Sequence, residues 1–333
     1  MNRKFIILST MTQLAGWIPS AALSAPADTK QPVTFSGYVQ TQYNAPGGDI
    51  HGFRLRRARL SWSGRFNERL QYRLQGDDWS GSSARLLDAE LIFVLAPLWT
   101  VSAGQFKIPF SAENLLSSAA LETINRSSVV EALAARGRDI LGNQNGRDTG
   151  IRLSGGMLPT ARGPLMEFFL GLFNGSGINA TDRDDHKDVA FRILLHPAGG
   201  IILGGSLYRG RMTEAGDALE KRIRNREGIE LTITSERLSL RSEYISGRDG
   251  DIRRGGWYVQ AALAAGRMLQ CILKYDTLNP DTDLEKDEES ALTLGINWLM
   301  GGKCRLQTHY AIHREHGSST CHNQWAVQWQ IGY

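Results

Sequence analysis

The strongest constraint in this sequence is a period-two alternation of apolar and polar side chains. It recurs in segments of about ten residues. Trp325, Val327, Trp329, Ile331 and Tyr333 alternate with Gln324, Gln328 and Gln330. Leu292, Leu294, Ile296 and Trp298 alternate with Thr293, Gly295 and Asn297, and the same pattern runs through 257–263, 229–233 and 69–75. Successive side chains of a strand point to opposite faces, so each segment is a strand with one apolar and one polar face. Sixteen such segments are expected, over 33–43, 51–63, 67–77, 85–95, 98–106, 147–155, 165–174, 187–196, 201–209, 226–234, 236–246, 255–265, 268–277, 289–299, 302–313 and 322–333.

The connections alternate in length. Tight ones fall at 64–66, 96–97, 197–200, 235, 266–267 and 300–301. Longer polar ones fall at 44–50, 78–84, 107–146, 175–186, 210–225, 247–254, 278–288 and 314–321. The stretch 156–164 reads as a long connection where a short one is expected. Short turns on one side and long loops on the other are the layout of an outer-membrane barrel.

The polar faces carry Arg69, Arg73, Asp88, Glu90, Arg152, Arg192, Arg237, Arg241, Glu243, Lys274 and Arg305. Sixteen strands that turn such a face inward need water inside, and their apolar faces then meet lipid. The fold expected is all-β: a 16-stranded antiparallel transmembrane β-barrel. Arg69, Arg73, Arg152, Arg192, Arg237, Arg241, Lys274 and Arg305 would line its pore. Closure of the sheet pairs the backbone groups, as hydrocarbon demands. Trp99, Trp257, Trp298, Trp325 and Tyr333 suit interfacial girdles. A large soluble β protein with a wet face is the alternative.

Composition excludes other classes. With 41% hydrophobic residues the chain is too apolar for disorder. No run long enough for a membrane helix occurs beyond the N-terminus. There, Arg3 and Lys4 precede an apolar stretch and then small residues, the pattern of a secretory signal peptide over 1–24, with cleavage as late as 27 the alternative. Residues 25–333 form the barrel domain. Removing Arg3 and Lys4 takes the formal charge from +4 to +2, which with export disfavours nucleic acid as a partner. Cys271, Cys304 and Cys321 make no disulfide framework. His309, His313, His316 and His322 suggest a metal, but on a strand His309 and His313 lie about 13 Å apart. No Gly-x-Ser-x-Gly, Walker or His-Glu-x-x-His motif occurs.

Connection 107–146, the third long loop, reads as two helical pieces, Ala112 to Ser118 and Ser127 to Ala135, with Ser111 as a cap. Its Leu115, Leu116, Ile124, Val129, Val130 and Leu133 need burial. Folding into the barrel would bury them and make 107–146 a constriction loop; an external cap or partner-binding loop is the alternative.

Four blocks carry a family resemblance. They are Phe53 to Leu60 (FRLRRARL), Leu87-Asp88-Ala89-Glu90-Leu91, Gly104 to Asn114 (GQFKIPFSAEN) and Arg138-Asp139-Ile140. Together they resemble the phosphate-selective porin O/P family. The resemblance implies a trimeric sixteen-stranded porin whose third loop folds inward. It also implies a narrow anion site at positions matching Arg56, Arg57, Asp88, Lys107, Ser117 and Ser118, with Arg59 in the same run. Guanidinium groups replace phosphate hydration with paired donors. In this reading Arg56, Arg57, Lys107 and Arg126 attract the anion, Asp88 tunes release, and Ser117 and Ser118 donate hydrogen bonds. Alternatively Arg56, Arg57 and Arg59 merely pair with Asp88, Glu90 and other wall acids. Parity within the run is broken, and a bulge near Leu55–Arg56 would resolve it.

The expected function is passive diffusion of small anions, phosphate or polyphosphate among them, across the bacterial outer membrane, with no cofactor. A barrel lipase or protease, or a general porin for larger solutes, stays open. Expected partners are small anions, outer-membrane lipid, two further copies of the chain, and the insertion machinery that reads the terminal Tyr333.

Overall fold

The computed structural model describes residues 33–45, 51–77, 84–182, 185–213, 221–284, 287–316 and 321–333. The expected signal peptide lies outside the described residues.

Sixteen strands follow in chain order. They are β1 (Thr34–Asn44), β2 (Gly52–Arg65), β3 (Leu70–Asp77), β4 (Arg85–Ala96), β5 (Trp99–Lys107), β6 (Arg147–Thr160), β7 (Gly163–Phe173) and β8 (Asp188–Ala198). The second half comprises β9 (Ile201–Thr213), β10 (Lys221–Thr234), β11 (Leu238–Asp249), β12 (Ile252–Ala265), β13 (Leu269–Leu278), β14 (Glu289–Leu299), β15 (Arg305–Glu315) and β16 (Cys321–Gly332). Each pairs antiparallel with its neighbours in sequence, and β1 pairs β16, so the sheet is a closed barrel. At the seam Tyr38 faces Gly332, and Gly37 and Tyr333 exchange backbone hydrogen bonds of 3.3 and 3.1 Å. Closure leaves no edge strand.

Two corrections concern the connections. The stretch 156–164 is not a long loop, because β6 runs on to Thr160 and turns within 161–162 into β7. Gly155, Gly156 and Pro159 interrupt the alternation there and hide the strand end. Likewise 247–254 is not a long loop. Strands β11 and β12 extend into it and turn at 250–251, where Gly250 has φ 62°.

The apolar face points outward. Trp99, Trp257, Trp298, Trp325 and Tyr333 are all exposed on it. The opposite face is polar and covered: Gln40, Arg192, Glu230, Gln260, Lys274, Asn297, Gln307 and Gln328 are buried. An ordinary soluble protein shows the reverse.

The outward face carries a test. Leu273 stands half-exposed on β13. Leu273→Arg is expected to destabilise the bilayer-inserted barrel by about 2–4 kcal/mol if the site is near the midplane. Urea titration in vesicles measures it; an unshifted midpoint would place this face in water.

Candidate functional site: a loop-closed constriction

The long connection starts where β5 ends, and the local sequence explains why. Gly104 has φ 123°, and a Cβ there would stand 2.0 Å from the Ala89 carbonyl oxygen, so only glycine fits. The Gln105 amide nitrogen donates to the carbonyls of Leu86 (2.8 Å) and Leu87 (2.9 Å). Phe106 meets Phe173 edge-on at 5.6 Å and lies under the Arg152 guanidinium at 4.8 Å. Lys107 Nζ donates to the carbonyls of Asn114 (2.9 Å), Leu115 (2.9 Å) and Leu116 (2.8 Å). All three ammonium hydrogens are therefore used in folding the chain back on itself.

Two short helices follow, both briefer than the sequence suggests: α1 (Ala112–Leu115) and α2 (Ser128–Leu133). The expected cap is present, with Ser111 Oγ accepting from the Asn114 N–H at 3.2 Å. The Ala112 and Glu113 N–H groups donate to the Glu243 carboxylate on β11 at 3.0 and 2.7 Å. α1 stops early because Leu116 turns to extended backbone. Glu113 accepts from the N–H and Oγ of Ser127 at 2.9 and 2.8 Å, clamping the start of α2. Val129, Val130 and Leu133 of α2 pack with Ile245, Tyr258 and Leu278 of the wall.

Between the helices the chain crosses the lumen, latched from several strands. Gln40 donates to the Ser118 carbonyl (3.2 Å) and Gln330 to the Ala119 carbonyl (3.2 Å). Asn297 and Gln307 donate to the Glu122 carbonyl at 2.8 and 3.0 Å. The Ile124 N–H donates to His309 Nδ1 at 3.2 Å, which gives that histidine a structural partner. The loop thus folds inward, and Leu116, Ile124, Val129, Val130 and Leu133 are buried, while Leu115 is half-buried.

The arginine run sits beside this crossing. Along β1 and β2, Gln40 faces Arg57 while Thr41 faces Leu55, so Arg56 is the extra residue of a bulge. The bulge resets the parity. Phe53, Leu55, Ala58, Leu60 and Trp62 then point outward while Arg54, Arg56, Arg57 and Arg59 share the interior. Arg56 donates to Gln42 (2.7 Å), Gln328 (3.4 Å) and Asn125 (2.7 Å), and Arg57 to Gln40 (2.9 Å). Arg54 donates to Gln42 at 3.2 Å. These acceptors are neutral amides. Arg59 differs: it is buried against Asp77 and also reaches Ser118 Oγ at 3.3 Å. Arg126 is buried too, donating to the carbonyls of Glu113 (3.2 Å) and Leu116 (2.9 Å) and to Ser118 Oγ (3.4 Å). Ser118 Oγ accepts from both arginines, and Ser117 Oγ accepts from the Ala119 N–H at 3.3 Å.

Asp88 is paired with Arg147 at 2.6 Å and Arg73 at 3.4 Å. Other interior cations are matched as well. Arg152 meets Glu90 (3.0 Å), Arg192 meets Glu230, Arg241 approaches Glu122 (3.6 Å), and Lys274 lies 3.6 Å from Asp276. Arg305 donates to Gln330 at 3.2 Å. Two expected pore residues are corrected. Arg69 and Arg237 are exposed in the tight turns 66–69 and 235–237, because their strands begin one residue later.

Sequence reading missed the partners. Arg147 and Asp77 neutralise Asp88 and Arg59, and Asp139 of the loop holds Arg224 (3.1 Å) and Arg226 (3.7 Å). Burial raises the Asp139 carboxyl, but Arg224 and Arg226 outweigh it and hold it below its ordinary value. Glu131 of α2 is similar: burial raises it, and Arg136, Arg126 and Arg57 with the Gly137 N–H bring it below the usual carboxylate range. Its field reaches Arg56, and Asp77 reaches Arg57. Among the described residues no group of three or more His, Cys, Asp or Glu side chains is arranged to hold a metal. Cys271 and Cys304 are free thiols, Cys271 exposed on the outer face.

A closed sixteen-strand barrel, apolar outside and narrowed inside by its third long loop, is a porin of the bacterial outer membrane. Residues 27–188 match the family model of phosphate-selective porin O and P. A search of curated proteins finds no match. Solved structures agree on the fold. An anion-selective porin from Comamonas acidovorans superposes with TM-score 0.70 at 16% identity, covering 91% of this chain and 99% of that one. Salmonella typhi OmpF, in complex with daunomycin, gives 0.65 at 10% identity, covering 91% and 98%. Pseudomonas putida OprB gives 0.60 at 10% identity, covering 91% and 94%. Family and fold are those of a channel rather than an enzyme.

The Glu113 clamp carries a test. Glu113→Ala leaves the Ser127 donors without their acceptor at a cost of about 1–3 kcal/mol. Greater proteolysis within 116–127 and noisier single-channel currents are expected; traces matching the parent would remove Glu113 from the clamp.

Proposed function

We propose that the channel passes small anions, with phosphate or polyphosphate as the preferred class, through a constriction governed by Arg54, Arg56 and Arg57. One observation carries the reading. Most interior arginines are ion-paired, whereas among the described residues none of these three has a carboxylate within ion-pair distance. Their charge is spent on no internal partner and is open to a solute. The surrounding amides of Gln40, Gln42, Gln328 and Asn125 hold the guanidinium planes without neutralising them.

An anion that sheds water at the narrow point regains donors from the fork of Arg56 and Arg57. Lys107 and Arg126, whose hydrogens point into loop carbonyls, act through charge. Ser117 stands half-buried beside the path. Glu131 opposes the arginines and keeps the anion from lodging, since conduction requires release; Asp88, tied to Arg147 and Arg73, weakens the field further along the wall. The match to phosphate-selective porin O and P supports anion passage, as does the shared fold of the anion-selective Comamonas porin. The working form is a homotrimer, exported with residues 1–24 removed and inserted through recognition of the terminal aromatic.

Planar-bilayer reversal potentials under a salt gradient test this. Arg56→Glu with Arg57→Glu is expected to lower the anion-to-cation permeability ratio about tenfold, or roughly 1.4 kcal/mol. Glu131→Gln is expected to raise the ratio. A parent channel that prefers cations, or a ratio indifferent to both changes, would overturn the assignment. Phosphate blocking of chloride current distinguishes phosphate preference from a general anion path.

A further inference from the structure

The outer surface is not uniformly apolar. Across four consecutive strands one outward row carries an arginine on three of them. Arg209 on β9 faces Asn225 on β10, Asn225 faces Arg248 on β11, and Arg248 faces Arg253 on β12. Arg211 stands one outward position further toward the loops. All four arginines are exposed, the side chains of Arg209 and Arg248 by 46% and 48%. Their inward neighbours Tyr208, Asp249 and Arg254 are buried or half-buried, which fixes the direction of the row.

Height matters as much as charge. Four residues closer to the short turns, the same strands present Ile229, Tyr244 and Trp257, also one row, with Trp257 packed on Tyr275 at 5.4 Å. Tyr244 and Trp257 of this row are the residue types of an interfacial girdle. The basic row lies about 13 Å further along the strands, at the loop end, where headgroups begin. At other strands Phe53, Leu86, Leu172 and Val189 are exposed outward near the loop end. Arg314 on β15 is a separate outward cation.

Two features ask for an external anion. Arg248 and Arg253 are directly opposed on one face, and like charges so placed destabilise a ladder. The local acids offset this in part: Glu227 pairs with Arg209, and Asp251 in the turn lies 3.4 Å from Arg248. Arg211 and Arg253 have no ion-pair partner among the described residues. The loop end of an outer-membrane barrel faces the outer leaflet, whose lipids are phosphorylated glucosamine disaccharides.

We propose that Arg209, Arg211, Arg248 and Arg253 form a lipid site that binds the phosphate groups of outer-leaflet glycolipid headgroups. Guanidinium forks suit phosphate oxygens, and an apolar wall below the row accepts the acyl chains. The proposal rests on the outer-membrane placement and is independent of what the pore conducts.

Native mass spectrometry of the full-length mature protein in detergent, titrated with bisphosphorylated lipid A, tests it. The parent is expected to bind, and dephosphorylated lipid A to bind about tenfold more weakly. Arg248→Gln with Arg253→Gln should weaken binding of the phosphorylated lipid to the same degree, while Arg248→Lys with Arg253→Lys should retain most of it. Conductance is expected to be unchanged in both variants. If the glutamine pair fails to fold, Arg253→Gln alone is expected to give a smaller loss. Equal binding of the two lipids, or of parent and glutamine variants, overturns the proposal. So does displacement by millimolar inorganic phosphate, which would assign the row to the free ion. A changed ion selectivity in the parent bears on the pore reading alone.

Discussion

The whole molecule depends on closure of the hydrogen-bonded sheet. In hydrocarbon an unpaired N–H or C=O costs several kcal/mol, so a strand can cross only if both its edges are covered. The pairing of β1 with β16 supplies the last cover, with Tyr333 bonded to Gly37 at the seam. Once the sheet closes, its two faces are committed to different solvents. The outer face takes Leu, Val and Trp because lipid touches it. The inner face can carry arginines and carboxylates because water reaches it.

That commitment creates a second demand, for a partner to each interior charge. The wall meets it largely by ion pairs across strands, Arg147 with Asp88 and Arg192 with Glu230 among them. Where the crossing loop approaches β2 the rule lapses. A one-residue bulge at Arg56 brings four arginines of 54–59 to the interior, and an acid meets one of them, Arg59. The unbalanced charge stands where the loop crosses, with Arg56 bonded to Asn125 and Gln40 bonded to both Arg57 and the Ser118 carbonyl.

The barrel was legible in the sequence because period two is a backbone property that needs no distant information. The strand count, the alternation of loop lengths, the Ser111 cap and the bulge near Arg56 all follow from neighbours in the chain. The hairpin at 161–162 was hidden by Gly155, Gly156 and Pro159, which carry no facial signal. Arg69 and Arg237 share the parity of the interior but fall just beyond their strands, and parity says nothing of where a strand ends. Partners were the hardest to read. Asp139 and Arg224 are separated by 85 positions, and Arg59 and Asp77 by 18. Their meeting is set by register and by the path of a loop. So the choice between free and paired arginines had to wait for the structure.

The crossing loop leaves and rejoins the sheet at facing rungs: Lys107 and Arg147 are ladder partners. Its 39 residues are an excursion that returns to its point of departure, and the cylinder around it is continuous without them. Aperture and scaffold are accordingly separable in inheritance. Lengthening or trimming one insert between these rungs can retune what a descendant admits while every stave keeps its place.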